Sequence, residues 1–143
     1  MLEAMEDTIF MKIVRKEIPA EIIYEDENTL AFLATAPSNA GHTLVIPKKP
    51  SRNLLDIEVQ DWLSMMKTVH MLAPYIKEVV HAEGINLAMN NEAAAEQVIF
   101  HPHVHIIPRY ASDTFGYDLW PHKPYGPGEA EALGEKIRTK LSA

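Results

Sequence analysis

Residues 101–105 read His-Pro-His-Val-His, which sets three of the seven histidines at i, i+2 and i+4. If this stretch is a β-strand, all three rings leave from one face, because side chains alternate along a strand. Pro102 biases His101 toward extended geometry. The same proline has no N–H to give a ladder, so this part of the strand lies at an edge, at a start, or otherwise unpaired on its N–H side. The chain must therefore build a sheet that carries a row of imidazoles. An ordinary imidazole titrates near pH 6.5, so such a row can hold a nucleophile, a proton donor and an acceptor at neutral pH.

The rest of the sequence supplies the elements of such a sheet. Residues 8–16, capped by Asp7, place Phe10, Ile13 and Val14 at helical spacing, and Pro19 ends this short helix. Residues 21–24 and 29–33 read as an antiparallel hairpin around the polar turn 25–28, and a loop over 36–41 leads into a buried strand, 42–47. From Asp56 as N-cap, an apolar stripe through Val59, Leu63, Met66, Val69, Ala73, Ile76 and Val80 predicts one long helix ending at Gly84 as its C′ residue. Pro74 within it predicts a kink or break near residues 70–74. Strands over 85–89 and 98–108 flank a polar, alanine-rich connection. Beyond Arg109 the chain is loop-like, anchored by Tyr117 and Trp120, and Glu129 opens an amphipathic helix with Ala130, Leu133, Ile137 and Leu141 as its apolar edge. The fold class is α+β, an antiparallel sheet of about five strands covered mainly on one face by the long helix, with shorter N- and C-terminal helices. A single domain spans residues 1–143, its core over roughly 7–110 and a C-terminal extension over 111–143.

Charge and composition narrow the function. Thirteen basic against twenty acidic side chains give a formal charge of −7 at pH 7, which argues against general attraction to nucleic acid or to an anionic membrane. Phosphate binding would have to be local, and Lys48, Lys49 and Arg52 form the densest positive cluster near the histidines. The absence of cysteine excludes disulfides, a thiolate zinc site and a cysteine nucleophile. Residues 1–7 are acidic without the basic start and apolar run of a signal peptide, and no stretch is long and apolar enough to span a membrane. Cytoplasmic residence is the expectation.

His42, at a strand start, can join the row from a neighbouring strand. Crowded, partly buried imidazoles favour the neutral form. Neutral rings keep lone pairs with which one can attack phosphorus while a neighbour protonates the leaving group. Phosphoryl chemistry fits best, with Asn90, Asn91, Gln97 and the backbone around 91–98 as donors to the phosphate oxygens. Three histidines and a water also make a catalytic zinc arrangement, so a metal site stays open on this ground.

The run of histidines alternating with Pro102 and Val104, then Ile106 and Ile107, resembles the signature of the histidine triad (HIT) family, and in particular bacterial Hint-like nucleotide hydrolases. Agreement extends over roughly 7–110, through Glu17-Ile18-Pro19-Ala20, Tyr24-Glu25-Asp26, Ala31-Phe32-Leu33, Gly41-His42-Thr43-Leu44-Val45-Ile46-Pro47-Lys48, Asn90-Asn91 and Gln97. The resemblance implies a nucleotide hydrolase or transferase with a nucleotidyl-histidine intermediate. It makes His103 the nucleophile, steadied by the His101 carbonyl, gives His105 the phosphate and leaving group, and lets His42 complete the network. Asn91, Gln97 and Val98 would surround the α-phosphate. The implied partners are a small nucleotide and a second copy of the chain, joined through the sheets and the helices over 58–83.

Three departures from the family pattern bear on the site. Relatives that hold a structural zinc use two cysteines and a histidine, and the matching positions here are Thr8, Met11 and Pro50, so no metal and no cofactor is expected. An aspartate that grips the ribose in relatives is replaced by Ala34. Glycines common in the phosphate loop are replaced by Glu92 and Glu96, whose carboxylates would repel a phosphate if both faced it. They are expected to point outward, or one to meet a cationic leaving group. The leading reading is a nucleoside phosphoramidate hydrolase. The alternatives are a binding or regulatory module with weak catalysis and a dinucleoside polyphosphate hydrolase.

Overall fold

The computed structural model describes residues 7–115 and 124–142. These divide into two units, with the boundary between Ser112 and Asp113.

The first unit is built on five antiparallel strands, β1 (Ile22–Glu25), β2 (Thr29–Leu33), β3 (Thr43–Pro47), β4 (Gly84–Ala88) and β5 (Val104–Arg109), in the order β1-β2-β3-β5-β4. Strand alternation divides its apolar residues between two faces. On one, Ala31, Val45, Val104 and Ile106 meet Met65, Val69, Leu72 and Ile76 of the long helix α2 (Val59–Val79). On the other, Leu30, Phe32, Leu44 and Ile46 meet Phe10 and Ile13 of the short helix α1 (Ile9–Val14). The sheet is thus α+β as anticipated, but α1 closes part of the face that the long helix leaves open. β2 and β3 are buried on both sides for this reason.

Helix ends depart from the sequence expectation in instructive ways. Thr8, not Asp7, caps α1, with Oγ1 accepting from Met11 N–H at 3.2 Å, while Asp7 is spent on an ion pair with Arg15 at 2.9 Å. Asp56 does not cap α2; its carboxylate takes the N–H groups of Arg52 and Asn53, and α2 opens three residues later behind Glu58. At the far end the left-handed residue is His81, φ 54°. Its N–H reaches Glu78 O, and Ala82 N–H reaches Lys77 O, the bond pair that closes a helix around a C′ residue. Gly84 is free to start β4. Pro74 lies within an unbroken α2, so the helix tolerates the lost hydrogen bond without ending there.

The largest correction concerns the histidine strand. β5 begins at Val104 rather than at residue 98, pairing Val45 with Val104, Leu44 with His105 and Thr43 with Ile106. Residues 98–103 stay outside the ladder. Pro102 has no N–H to contribute, and His101 is held by its ring rather than its backbone, as described below.

In the second unit, α3 (Glu129–Leu141) forms where the amphipathic pattern placed it, and Gly126 N–H is taken by Glu129 Oε1 at 3.1 Å. Leu133 of its apolar edge is 44% exposed. The anchors Tyr117 and Trp120, and the side chains of Ile137 and Leu141, lie outside the described residues.

Candidate active site

His42 enters β3 from a tight turn. Gly41 has φ +91°, and a Cβ there would fall 2.9 Å from Val80 Cγ1, so only glycine lets the chain pass under the end of α2 at this point. The turn also brings Ser38 back over the ring, with Ser38 N–H donating to His42 Nδ1 at 3.1 Å. Because Leu44 faces His105 across the ladder, His42, two residues before Leu44, lies on the same face as His105. His42 Nε2 is 2.8 Å from His105 Nδ1.

These contacts fix the tautomers. A backbone N–H can only donate, so His42 Nδ1 is the lone-pair nitrogen and its Nε2 carries the proton. His42 Nε2–H therefore donates to His105 Nδ1, and the proton of the neutral His105 ring resides on Nε2. A carbonyl can only accept, so the 2.7 Å contact between His103 Nδ1 and His101 O places the proton of His103 on Nδ1 and leaves Nε2 with its lone pair. His101 in turn donates from Nε2 to Pro47 O at 2.7 Å. The result is one ring with a bare nitrogen beside one ring with an N–H, their centroids 5.2 Å apart.

Burial keeps the set neutral. Desolvation lowers the pKa of His42 and His103 and holds His101 and His105 at about 4, with the neighbouring His103 and His42 lowering His105 further. Among the described residues no group of three or more His, Cys, Asp or Glu is arranged to hold a metal ion.

Phe10 is a member of the site that the sequence reading treated only as core. Its ring stands edge-on to His103, centroids 5.0 Å apart at 76°, and near His101 at 6.2 Å. Nothing in the helical spacing of Phe10 distinguishes this role from plain packing against Phe32.

The loop between β4 and β5 carries the remaining candidates, and it treats them unequally. Gln97 is buried, and its amide is fully engaged. Nε2 donates to Arg52 O at 2.8 Å and Ile99 O at 3.0 Å, while Oε1 accepts from Asn53 Nδ2 at 3.0 Å and Glu92 N–H at 2.8 Å. Gln97 thus shapes the loop, and its side chain has no donor left over for a phosphate. Asn91 Oδ1 accepts from Leu54 N–H at 2.8 Å, and Asn90 Nδ2 reaches Glu96 O at 3.4 Å. Val98 is 83% exposed. A single 3-10 turn over Ala93–Ala95 sits between Glu92 and Glu96, both at positive φ.

The cations near the site are paired with carboxylates. Lys48 meets Glu25 at 3.4 Å, Lys49 meets Glu58 at 2.7 Å, and Arg52 meets Glu92 at 2.8 Å. The Glu92 carboxylate is therefore turned to Arg52, which lowers its pKa through that hydrogen bond.

This fold is matched by known proteins. The HIT domain family matches residues 15–112, and the chain belongs to that family. The adenosine 5'-monophosphoramidase hnt1 of Schizosaccharomyces pombe is 36% identical over 137 residues, covering 93% of this chain and 97% of the relative. The adenylylsulfatase HINT3 of Arabidopsis thaliana is 40% identical over 114 residues, covering 80% of this chain and 56% of the relative. A crystal structure of a HIT family member from Bacillus subtilis is similar with a TM-score of 0.87 at 35% identity, over 96% of this chain and 99% of that one. No helix of the described residues is long and apolar enough to cross a membrane.

Proposed function

We propose that this protein hydrolyses nucleoside phosphoramidates, of the AMP-NH2 or aminoacyl-adenylate type, through a nucleotidyl group carried on His103. The observation that carries the reading is the tautomer pattern, with a lone pair on His103 Nε2 beside a proton on His105 Nε2. The similarity to an adenosine 5'-monophosphoramidase supports the choice of bond. The similarity to an adenylylsulfatase supports an adenosine 5'-phosphoryl group as the common part of the substrate.

In the first half-reaction the His103 Nε2 lone pair forms a bond to the α-phosphorus as the bond to the leaving group breaks, P–N in AMP-NH2 and P–O in an aminoacyl adenylate. The leaving amine nitrogen keeps the electron pair and takes one proton, which reaches it from solvent by way of His105 Nε2, whereas the aminoacyl carboxylate leaves with the pair and needs no proton. In the second half a water oxygen attacks phosphorus, the N–P pair returns to His103, and the proton lost by the water passes out by the same route. The His101 carbonyl steadies the positive charge on His103 while the nucleotidyl group is attached. Asn91, the exposed segment at Val98 and the local backbone N–H groups receive the α-phosphate. The residues at the positions of zinc ligands in relatives, Thr8, Met11 and Pro50, offer neither thiolate nor imidazole, so the proposed chemistry uses no metal or cofactor.

The protein acts as a homodimer in the cytoplasm on this reading. β4 is an edge strand, and Leu87 together with Val59, Leu63 and Met71 of α2 leaves apolar surface exposed, which is the sort of surface a second copy covers. The test of function is turnover of AMP phosphoramidate with mass spectrometry of the quenched enzyme. An adenylyl adduct on His103 is expected, and His103→Ala abolishes turnover while circular dichroism stays unchanged. Equal activity in that variant overturns the proposal.

A further inference from the structure

The loop that carries Asn91 and Val98 joins two strands with only one 3-10 turn of its own, and two of its residues adopt a backbone conformation that side chains disfavour. Such a segment needs an external brace to hold one conformation. The brace is the turn after β3. Asp56 ties its own carboxylate to the N–H groups of Arg52 and Asn53, which makes the turn rigid, and the turn then contacts the loop at successive points. Leu54 N–H donates to Asn91 Oδ1, Asn53 Nδ2 donates to Gln97 Oε1, and Arg52 both pairs with Glu92 and stacks 4.2 Å over Phe100.

Within this brace Asn53 has a special place. It is 0% exposed, and its amide donates to Gln97 Oε1, the same oxygen that takes Glu92 N–H. Its own Oδ1 accepts from Leu55 N–H at 2.9 Å. The Arg52–Glu92 pair is solvent-exposed and so contributes little holding power. A buried, directional amide-to-amide bond is costly to leave unmade. We infer that Asn53 is a positioning residue for the reaction, acting through Gln97 to hold the loop over residues 91–99 in register with His103. The inference rests on the hydrolase reading for its kinetic consequence and on geometry alone for its structural one.

The discriminating variant is Asn53→Asp, which keeps the shape and the acceptor for Leu55 N–H but replaces the donor with a carboxylate oxygen facing Gln97 Oε1. The charged groups around that position are the Asp56 carboxylate and the Arg52–Glu92 pair. Burial, Asp56 and the Glu92 carboxylate, which the Asn53 side chain also reaches, favour the protonated acid against the pull of Arg52, and a protonated Asp regains an O–H donor for Gln97. At neutral pH the variant is expected to lose kcat on AMP phosphoramidate by on the order of tenfold, with a smaller change in KM, a loss equivalent to one buried hydrogen bond. The ratio of variant to wild-type kcat then climbs as pH is lowered, because the donor returns; a purely structural defect has no reason to heal with acid. Hydrogen exchange of the Glu92 amide, which ends on Gln97 Oε1, speeds up in the variant and reports on the brace without any turnover. Wild-type kcat together with wild-type Glu92 exchange in Asn53→Asp overturns the inference. Asn53→Ser, too short to reach Gln97, serves if the aspartate variant does not fold, and is expected to show the same two losses at every pH. Should the wild type fail to turn over the substrate, the hydrolase reading falls, and the Glu92 amide still decides the brace.

Discussion

His42 Nε2 and His105 Nδ1 stand 2.8 Å apart, and Ser38 N–H occupies the other nitrogen of His42. Any further proton on the pair therefore has to displace a hydrogen bond that already exists. The relay specifies a neutral pair with the outer proton on His105 Nε2, and it does so from a loop amide rather than from a carboxylate.

His42→Phe removes that specification while keeping an aromatic ring in place. The His105 ring should then populate both neutral tautomers, seen in its 15N ring shifts. Turnover of AMP phosphoramidate should fall by roughly a hundredfold, the lower end of what a positioned proton donor contributes. A single unchanged tautomer in the variant would show that something other than His42 fixes His105.

The buried histidines also make stability depend on pH. Their folded pKa values lie below the ordinary 6.5, at about 4 for His101 and His105, so between those limits the unfolded chain binds more protons than the folded one. Stability then rises with pH through this window: it is fully present above pH 6.5 and is lost as pH falls toward the folded values. A drop in Tm between pH 6.5 and about 5, above the range in which most carboxylates titrate, is the expected outcome. His105→Asn should flatten it.

Phe10 packs on His103, so its truncation is expected to be felt in two measurements at once. Phe10→Leu should cost about 1–2 kcal/mol in denaturant unfolding. It should also raise the pKa of His103 toward its ordinary value, because water entering beside the ring relieves the desolvation that depresses it. A pKa of His103 that stays put by NMR titration would assign its desolvation to other neighbours.

Glu96 sits at φ 68°, ψ 23°, a left-handed conformation that a residue with a Cβ adopts at a cost. Glu96→Gly should stabilise the protein by about 0.5–1 kcal/mol, raising Tm by a few degrees on the usual scaling. Glu92→Gly, which relieves φ 78°, ψ 158°, a region nearly reserved to glycine, and loses only the exposed pair with Arg52, should gain at least as much.

Much of this architecture is legible in the sequence, and the gaps have physical reasons. The helical apolar stripe marks α2, and short continuous apolar runs mark β2 and β3, as strands buried on both faces read. Periodicity misplaces the start of the histidine strand, since His101-Pro102-His103 is extended without being paired, and alternation alone does not distinguish the two conditions. Asp56 looks like a helix cap because aspartate before an apolar stripe usually is one, yet it caps the turn that braces the loop. Gln97 stands out by its place in the family signature, but its saturation needs Asn53 and Arg52, 44 and 45 residues away in the chain, besides the nearby Glu92 and Ile99. Phe10 and Ser38 acquire their roles only once α1 and the turn before β3 are folded over the histidines.

The point where β5 begins has a consequence for how the histidines are held. His105 belongs to a strand hydrogen-bonded on both sides, to Leu44 of β3 and Ala88 of β4, whereas His101 and His103 precede the paired segment. His103 is held instead by its ring, through the bond to the His101 carbonyl and its packing against Phe10. The two neighbouring rings are thus fixed by different means, one by the sheet ladder and the other by side-chain contacts, so the spacing between them depends on both systems at once.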